Sequence, residues 1–142
     1  MCNDFGTLLR VRRVPRSRAV TAYRAWDYWS DNGEHGRNKF LRSPFYSDFF
    51  WEPGKNTYSC KRGSIKKTKG GFYGFKNIGS VQYYYSGDGS PTIVGEMRFW
   101  GTVYEYQYGF RASRCSIERI PRGWSRNGGR YDVRRVRQKY GV

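Results

Sequence analysis

The chain has 142 residues, with 27 Lys plus Arg against 11 Asp plus Glu and a formal net charge of +16. That length suits one domain with a modest core. So large a surplus opposes folding by self-repulsion and exceeds what solubility needs, which points to a polyanionic partner. No apolar run approaches the ~20 residues of a membrane-spanning helix, so a membrane partner is not expected.

In chain order, TLLRVRRV alternates apolar residues with Arg and predicts an edge strand, which tolerates charge and stops at Pro15. AVTAYRAWDYW alternates again, with Val20, Ala22, Arg24, Trp26 and Tyr28 on one face. SDNGEHG is a turn cluster, and KFL a short return strand ended by Ser43-Pro44. WEPGKN turns at Pro53-Gly54 and leads into TYSCKRG, a further short strand. GSIKKTKGGFYGF is a basic loop running into an aromatic strand over Phe72–Phe75. NIGSVQYYY fits either a helix capped by Asn77 or a strand. GDGSP turns into the long strand of VGEMRFWGTVYEYQY, where Met97, Phe99, Gly101 and Val103 form the natural core face. The opposite face holds Val94, Glu96, Arg98, Trp100, Thr102, Tyr104 and Tyr106, and mixes charge with rings. FRASRCSIERI continues as strand, RGWSRNGGR reads as a flexible link, and Val133, Val136 and Tyr140 have helical spacing in a basic C-terminal segment.

Aromatic residues make up 19% of the chain, so the core must be built largely from rings, a composition that favours strands. The expected fold is therefore α+β. It is a single domain dominated by a curled antiparallel sheet or partial barrel, with one short central helix. Residues 1–18 form a basic N-terminal arm or edge strand, 19–120 the globular body, and 121–142 a basic C-terminal helix or tail.

YRAW at 23–26, LRSP at 41–44, WEPG at 51–54 followed by Cys60, GFYGF at 71–75, VGEMRFWGTV at 94–103 and YGFRAS at 108–113 occur in this order. Together they resemble a small uncharacterised bacterial and phage domain, over about residues 22–120. Its members read R-A-W, L-x-S-P, W-x-P-G followed by Cys, C-x-C-G-[IL]-Y-A, G-x-V-x-L-W-G-x-V and G-[YW]-R-A. The resemblance implies a compact α+β unit with a short helix after the G-[IL]-Y-A strand, which tips NIGSVQYYY towards helix. It implies no reaction. Cys2, Cys60 and Cys115 are odd in number, widely spaced and in no CxxC pair, which suggests a reducing compartment, so the expected location is the cytoplasm of a bacterial or phage-infected cell. Many members keep a Cys/His cluster that could bind a metal. Here lysine and glycine occupy the C-x-C region around Lys69, and neither metal nor other cofactor is expected.

The cations fall in three blocks. Arg10, Arg12, Arg13, Arg16 and Arg18 load the N-terminal segment, Lys61, Arg62, Lys66, Lys67 and Lys69 the Gly-rich loop, and Arg130, Arg134, Arg135 and Arg137 the C-terminal segment. These residues are the expected phosphate contacts, and Tyr104 and Tyr106 the expected stacking rings. The expected function is non-enzymatic nucleic-acid binding, with RNA or single-stranded DNA favoured and duplex open, as part of a ribonucleoprotein or phage assembly. Two rivals compete with it. One is a phage-encoded interaction module or inhibitor docking on an acidic host protein. The other is a metal-dependent nuclease built on Asp31, Glu34 and His35, a trio that a polar hairpin turn explains better. No nucleophile and base stand at a catalytic spacing.

Overall fold

A computed structural model describes residues 5–30, 39–42, 50–61, 63–66, 69–84, 91–125 and 128–142. The backbone is organised round one long hairpin. β7 (Thr92–Tyr106) and β8 (Gly109–Trp124) pair antiparallel through a two-residue connection at Gln107-Tyr108. On its other edge β7 carries two strands end to end. β1 (Leu8–Val14) lies against its C-terminal half and β2 (Val20–Ser30) against its N-terminal half. Between them the chain steps out through Pro15 and a single 3-10 turn, Arg16–Arg18, because proline cannot donate to the ladder.

The second edge of β8 pairs with β5 (Tyr58–Ser59) and β6 (Phe72–Phe75). Pairing of Tyr23 with Phe75 then joins β6 back to β2 and closes a ring, β2-β7-β8-β6. β3 (Lys39–Arg42) and β4 (Phe50–Trp51) extend the sheet from the far end of β2. The fold is thus α+β, among the described residues a curled antiparallel sheet of eight strands with two short helices. α1 (Ile78–Tyr84) begins at Asn77, whose Oδ1 accepts from the Gly79 N–H at 2.8 Å, so the helical reading of NIGSVQYYY holds. α2 (Arg134–Tyr140) matches the spacing of Val133, Val136 and Tyr140 and ends on Gly141, at φ 71°.

Met97, Phe99 and Val103 are fully buried inside the ring, as their alternation predicts. Trp51 lies at the centre of an aromatic cluster, with its ring 5.4 Å from Trp26, 4.7 Å from Tyr58 and 5.3 Å from Phe72. The Arg24 guanidinium stacks 4.6 Å above Trp51, and burial lowers its pKa to about 10. α2 closes one end of this core. Its Tyr140 hydroxyl donates to the Trp51 carbonyl at 2.5 Å and accepts from the Leu41 N–H at 2.8 Å.

The opposite face of β7 is covered as well. Phe5, Ala25, Phe75, Val81, Val94 and Tyr106 make a second apolar cluster under α1 and the N-terminal residues. This is why an aromatic-rich strand can carry rings on both sides: each face has its own lid. The segment expected to be a flexible link differs too. Arg122, Gly123 and Trp124 complete β8, and Ser125 and Gly129 close a turn. Gly123 pairs with Ile93, and a β-carbon there would meet Thr92 and Val133, so glycine lets strand and helix approach.

Candidate anion-binding pocket

The cations sort by what already satisfies them. Among the described residues every carboxylate is paired: Glu105 with Arg10 at 2.8 Å and Lys76 at 2.9 Å, Glu96 with Arg119 at 2.8 Å, Asp27 with Arg42 at 3.0 Å, Asp132 with Arg134 at 2.6 Å, Glu118 with Arg98 at 3.8 Å and Glu52 with Lys55 at 3.4 Å. Arg12 also approaches Glu105, at 3.9 Å. A hydrogen bond from Arg119 holds the Glu96 carboxyl below its ordinary range, and one from Lys76 does the same for Glu105. Glu96 and Glu105 are therefore locked in separate ion pairs and form no acid/base couple.

Other predicted contacts serve the fold. Arg16 stacks 4.7 Å over Trp100, a ring only 4% exposed, and donates to Thr57 Oγ1 at 3.1 Å and the Asn56 carbonyl at 3.2 Å. Arg137 donates to the carbonyls of Ile120 at 2.8 Å and Pro121 at 3.3 Å. Tyr106 departs from its expected role: it is 6% exposed in the second apolar cluster and presents no ring face for stacking. Tyr104 is half-buried, with the Arg111 guanidinium 4.4 Å from its ring centre.

Arg111 was not singled out by the sequence reading, yet it organises the basic loop. It is fully buried and donates to Tyr106 Oη at 3.0 Å, the Gly70 carbonyl at 2.9 Å and the Lys66 carbonyl at 2.8 Å. Lys66 and Lys69 pair through their backbones at 2.7 and 3.3 Å, and both lysines are exposed on the resulting hairpin. The expected contacts Arg62 and Lys67 lie outside the described residues, as do Asp31, Glu34 and His35.

Next to this loop is a pocket of about 510 Å³. Arg13 of β1, Lys61 after β5 and Arg114 of β8 line it, with Ser59, Thr102 and Ser113 between them and no carboxylate among the described residues. None of these three cations is paired with an acid among the described residues. A β-bulge builds the wall: Trp100 pairs with Arg114 and Val103 with Ala112, so Gly101 and Thr102 together face Ser113. Gly101 sits at φ 86°, where a side chain is strained, and a β-carbon would collide with Ser113 Oγ. Ser113 Oγ accepts from the Thr102 N–H at 2.9 Å, and Thr102 Oγ1 accepts from Arg13 at 2.9 Å. The Cys60 N–H donates to the Ser113 carbonyl at 3.0 Å and ties the Lys61 loop to the same spot.

A second concavity, about 490 Å³, opens where the end of β8 meets α2. Arg122, Arg130, Arg134 and Arg137 line it with Tyr131 and Asp132. Asp132 takes up Arg134, whose hydrogen bonds hold that carboxyl down at about 2. Arg135 is exposed and close enough to Tyr131 and Asp132 to act on both electrostatically, and Arg18 is exposed at the end of the 3-10 turn.

The sequence reading placed Arg13 and Lys61 among phosphate contacts but did not mark Arg114, Thr102 or Ser113. Simple alternation put Arg114 on one face with Phe110 and Ala112, whereas the buried apolar side chains run Phe110, Ala112, Cys115. The signal was Gly101, the residue most suited to a bulge in an otherwise continuous strand.

No helix among the described residues is long and apolar enough to cross a membrane. No group of three or more His, Cys, Asp or Glu that could hold a metal occurs among them. In comparisons with known proteins, no family model, no curated protein and no solved structure matches this chain.

Proposed function

We propose that this protein binds nucleic acid, chiefly through the sugar-phosphate backbone. One observation carries the reading. After every described Asp and Glu has taken its cation, three cations without an acidic partner among the described residues, Arg13, Lys61 and Arg114, line one pocket to which two of the three basic blocks contribute. The third block supplies a second arginine-lined concavity bordering the same strand. Arg114 and Arg122 are separated along β8 by eight residues, about 26 Å at a strand's rise. Phosphates spaced along one chain suit such an arrangement.

Base stacking takes a smaller part than the ring content suggests, because Trp100 and Tyr106 are buried. Tyr108 is 53% exposed, and Tyr131 is half-buried at the second concavity. These are the rings placed to meet a base. RNA and single-stranded DNA remain the favoured ligands, since an unpaired strand can follow a curved surface and unstack onto such rings. No enzymatic step is assigned.

Titration of short RNA, single-stranded DNA and duplex DNA over a salt series tests the reading. With about six phosphates neutralised, the slope of log K against log salt is about −4 for a single strand and about −5 for a duplex. Absence of binding to all three at low salt contradicts it. The rival protein-interaction reading rests on Leu9 and Val11, 56% and 49% exposed on the β1 edge beside Arg10 and Arg12. Loss of binding on changing Leu9 and Val11 to Ser, with the pocket intact, favours that edge instead.

A further inference from the structure

The pocket of Arg13, Lys61 and Arg114 differs from an open basic track in being concave, and its volume is that of a small-ligand site. We propose that it captures a terminal phosphate, a phosphomonoester at the end of a nucleic-acid strand, rather than an internal diester. This deepens the nucleic-acid reading above and rests on it.

Three features of the lining favour a monoester. Charge comes first. An internal phosphodiester carries one negative charge and has only two unbridged oxygens. A monoester carries about −1.5 to −2 near neutral pH and three strong acceptor oxygens. Three cations from β1, the β5 loop and β8 approach one space with no acid among them, which matches the larger charge.

Donor polarity comes second. Thr102 Oγ1 accepts from Arg13, and Ser113 Oγ accepts from the Thr102 N–H. Each hydroxyl already accepts one hydrogen bond within the fold and keeps its proton for an incoming acceptor. The side chains thus present donors, as an anion requires and a cation does not.

Support comes third. The pocket wall is backed by interactions that hold its parts in place before any ligand arrives: the Gly101 bulge, the Cys60-to-Ser113 hydrogen bond, and the turn closed by Ser64 N–H on the Lys61 carbonyl at 2.9 Å. The buried Arg111 clamps the adjoining hairpin from below. Pre-organisation of this kind lowers the ordering cost of binding a small group. The second concavity lacks the same character, because Asp132 lies on its wall.

The test compares one short single-stranded oligonucleotide carrying a 5′-phosphate, a 3′-phosphate or hydroxyls at both ends. Binding is read by anisotropy with the wild-type chain and with Lys61→Gln and Arg114→Gln, each checked for folding by circular dichroism. A phosphorylated end is expected to improve affinity about tenfold, and the gain to disappear in both variants. Inorganic phosphate should compete for that gain and shift the Ser113 and Arg114 amide resonances. Equal affinity for phosphorylated and hydroxyl ends, or a gain that survives both substitutions, overturns the proposal. If the hydroxyl-ended strand binds with the salt slope given above while the end gives no gain, the terminal-phosphate inference fails and the nucleic-acid reading stands. If inorganic phosphate shifts those amides but no oligonucleotide binds, the pocket remains an anion site and the nucleic-acid reading fails.

Discussion

Two arginine-lined concavities border β8, and they differ in how much of their charge the protein itself uses. At the C-terminal one, Arg134 is bound to Asp132 and Arg137 to two backbone carbonyls, leaving Arg122 and Arg130. At the β1/β8 pocket, Arg13 makes one hydrogen bond to a threonine, and Lys61 and Arg114 have no acidic partner among the described residues. A count of cations ranks the first site higher. A count of cations with no carboxylate or carbonyl partner among the described residues ranks the second higher, three against two. The lesson is that a basic block in a sequence measures supply, whereas function depends on what remains after the fold has taken its share.

The sharpest way to break this comparison is to remove a cation that the fold consumes. Arg111→Met strips the partners from the Gly70 and Lys66 carbonyls and Tyr106, and should cost about 3 kcal/mol in denaturant unfolding. Arg137→Met, whose carbonyl partners are only part-buried, should cost about 1 kcal/mol by the same measurement. Equal costs would show that Arg111 does not hold the loop as its contacts suggest.

Gly101→Ala separates the bulge from the charges. It should cost about 1–2 kcal/mol through the positive φ and the encounter with Ser113 Oγ, and also weaken anion binding with every cation still present. Unchanged anion affinity in a folded Gly101→Ala chain would mean that the bulge does not shape the pocket.

Acid titration sharpens the contrast between paired and free cations. The folded-state pKa values of Glu96 and Glu105 are depressed by their cationic partners. Their contribution is therefore fully present above the unfolded carboxylate pKa, about 4.3, and is lost as pH falls through the lower folded values. Glu96→Gln should flatten the fall in stability below about pH 4, read as the denaturant midpoint against pH. Arg119 is largely exposed, so solvent screening keeps this effect small.

Much of the fold was legible from alternation and turn residues. TLLRVRRV predicts the edge strand, the Met97-Phe99-Val103 register predicts the core face, and Val133-Val136-Tyr140 predicts α2. What could not be read was coverage. Alternation shows that β7 has two faces but not that Phe5, Phe75 and Val81 cover the second, so Tyr106 looked available. Pairing was equally hidden. Arg10, Arg16, Arg134 and Arg137 read as free charges until the fold brings Glu105, Trp100, Asp132 and the end of β8 to them. The pocket depends on both kinds of information, since Arg13, Lys61 and Arg114 come from strands far apart in sequence and meet through one bulge.

A smaller effect separates the two concavities directly. Arg134→Gln should change oligonucleotide affinity less than about twofold, because that guanidinium already belongs to Asp132. Arg114→Gln should leave stability within about 0.5 kcal/mol, as usual for an exposed site.

The central claim is that the acid-free pocket is where this protein's surplus charge meets phosphate. The most direct measurement is the salt dependence of single-strand binding by the Arg13→Gln, Lys61→Gln, Arg114→Gln triple variant beside the wild type. The account predicts a folded variant whose salt slope is shallower by about 2, at ~0.7 for each lost phosphate contact. An unchanged slope and affinity in that folded variant would contradict it.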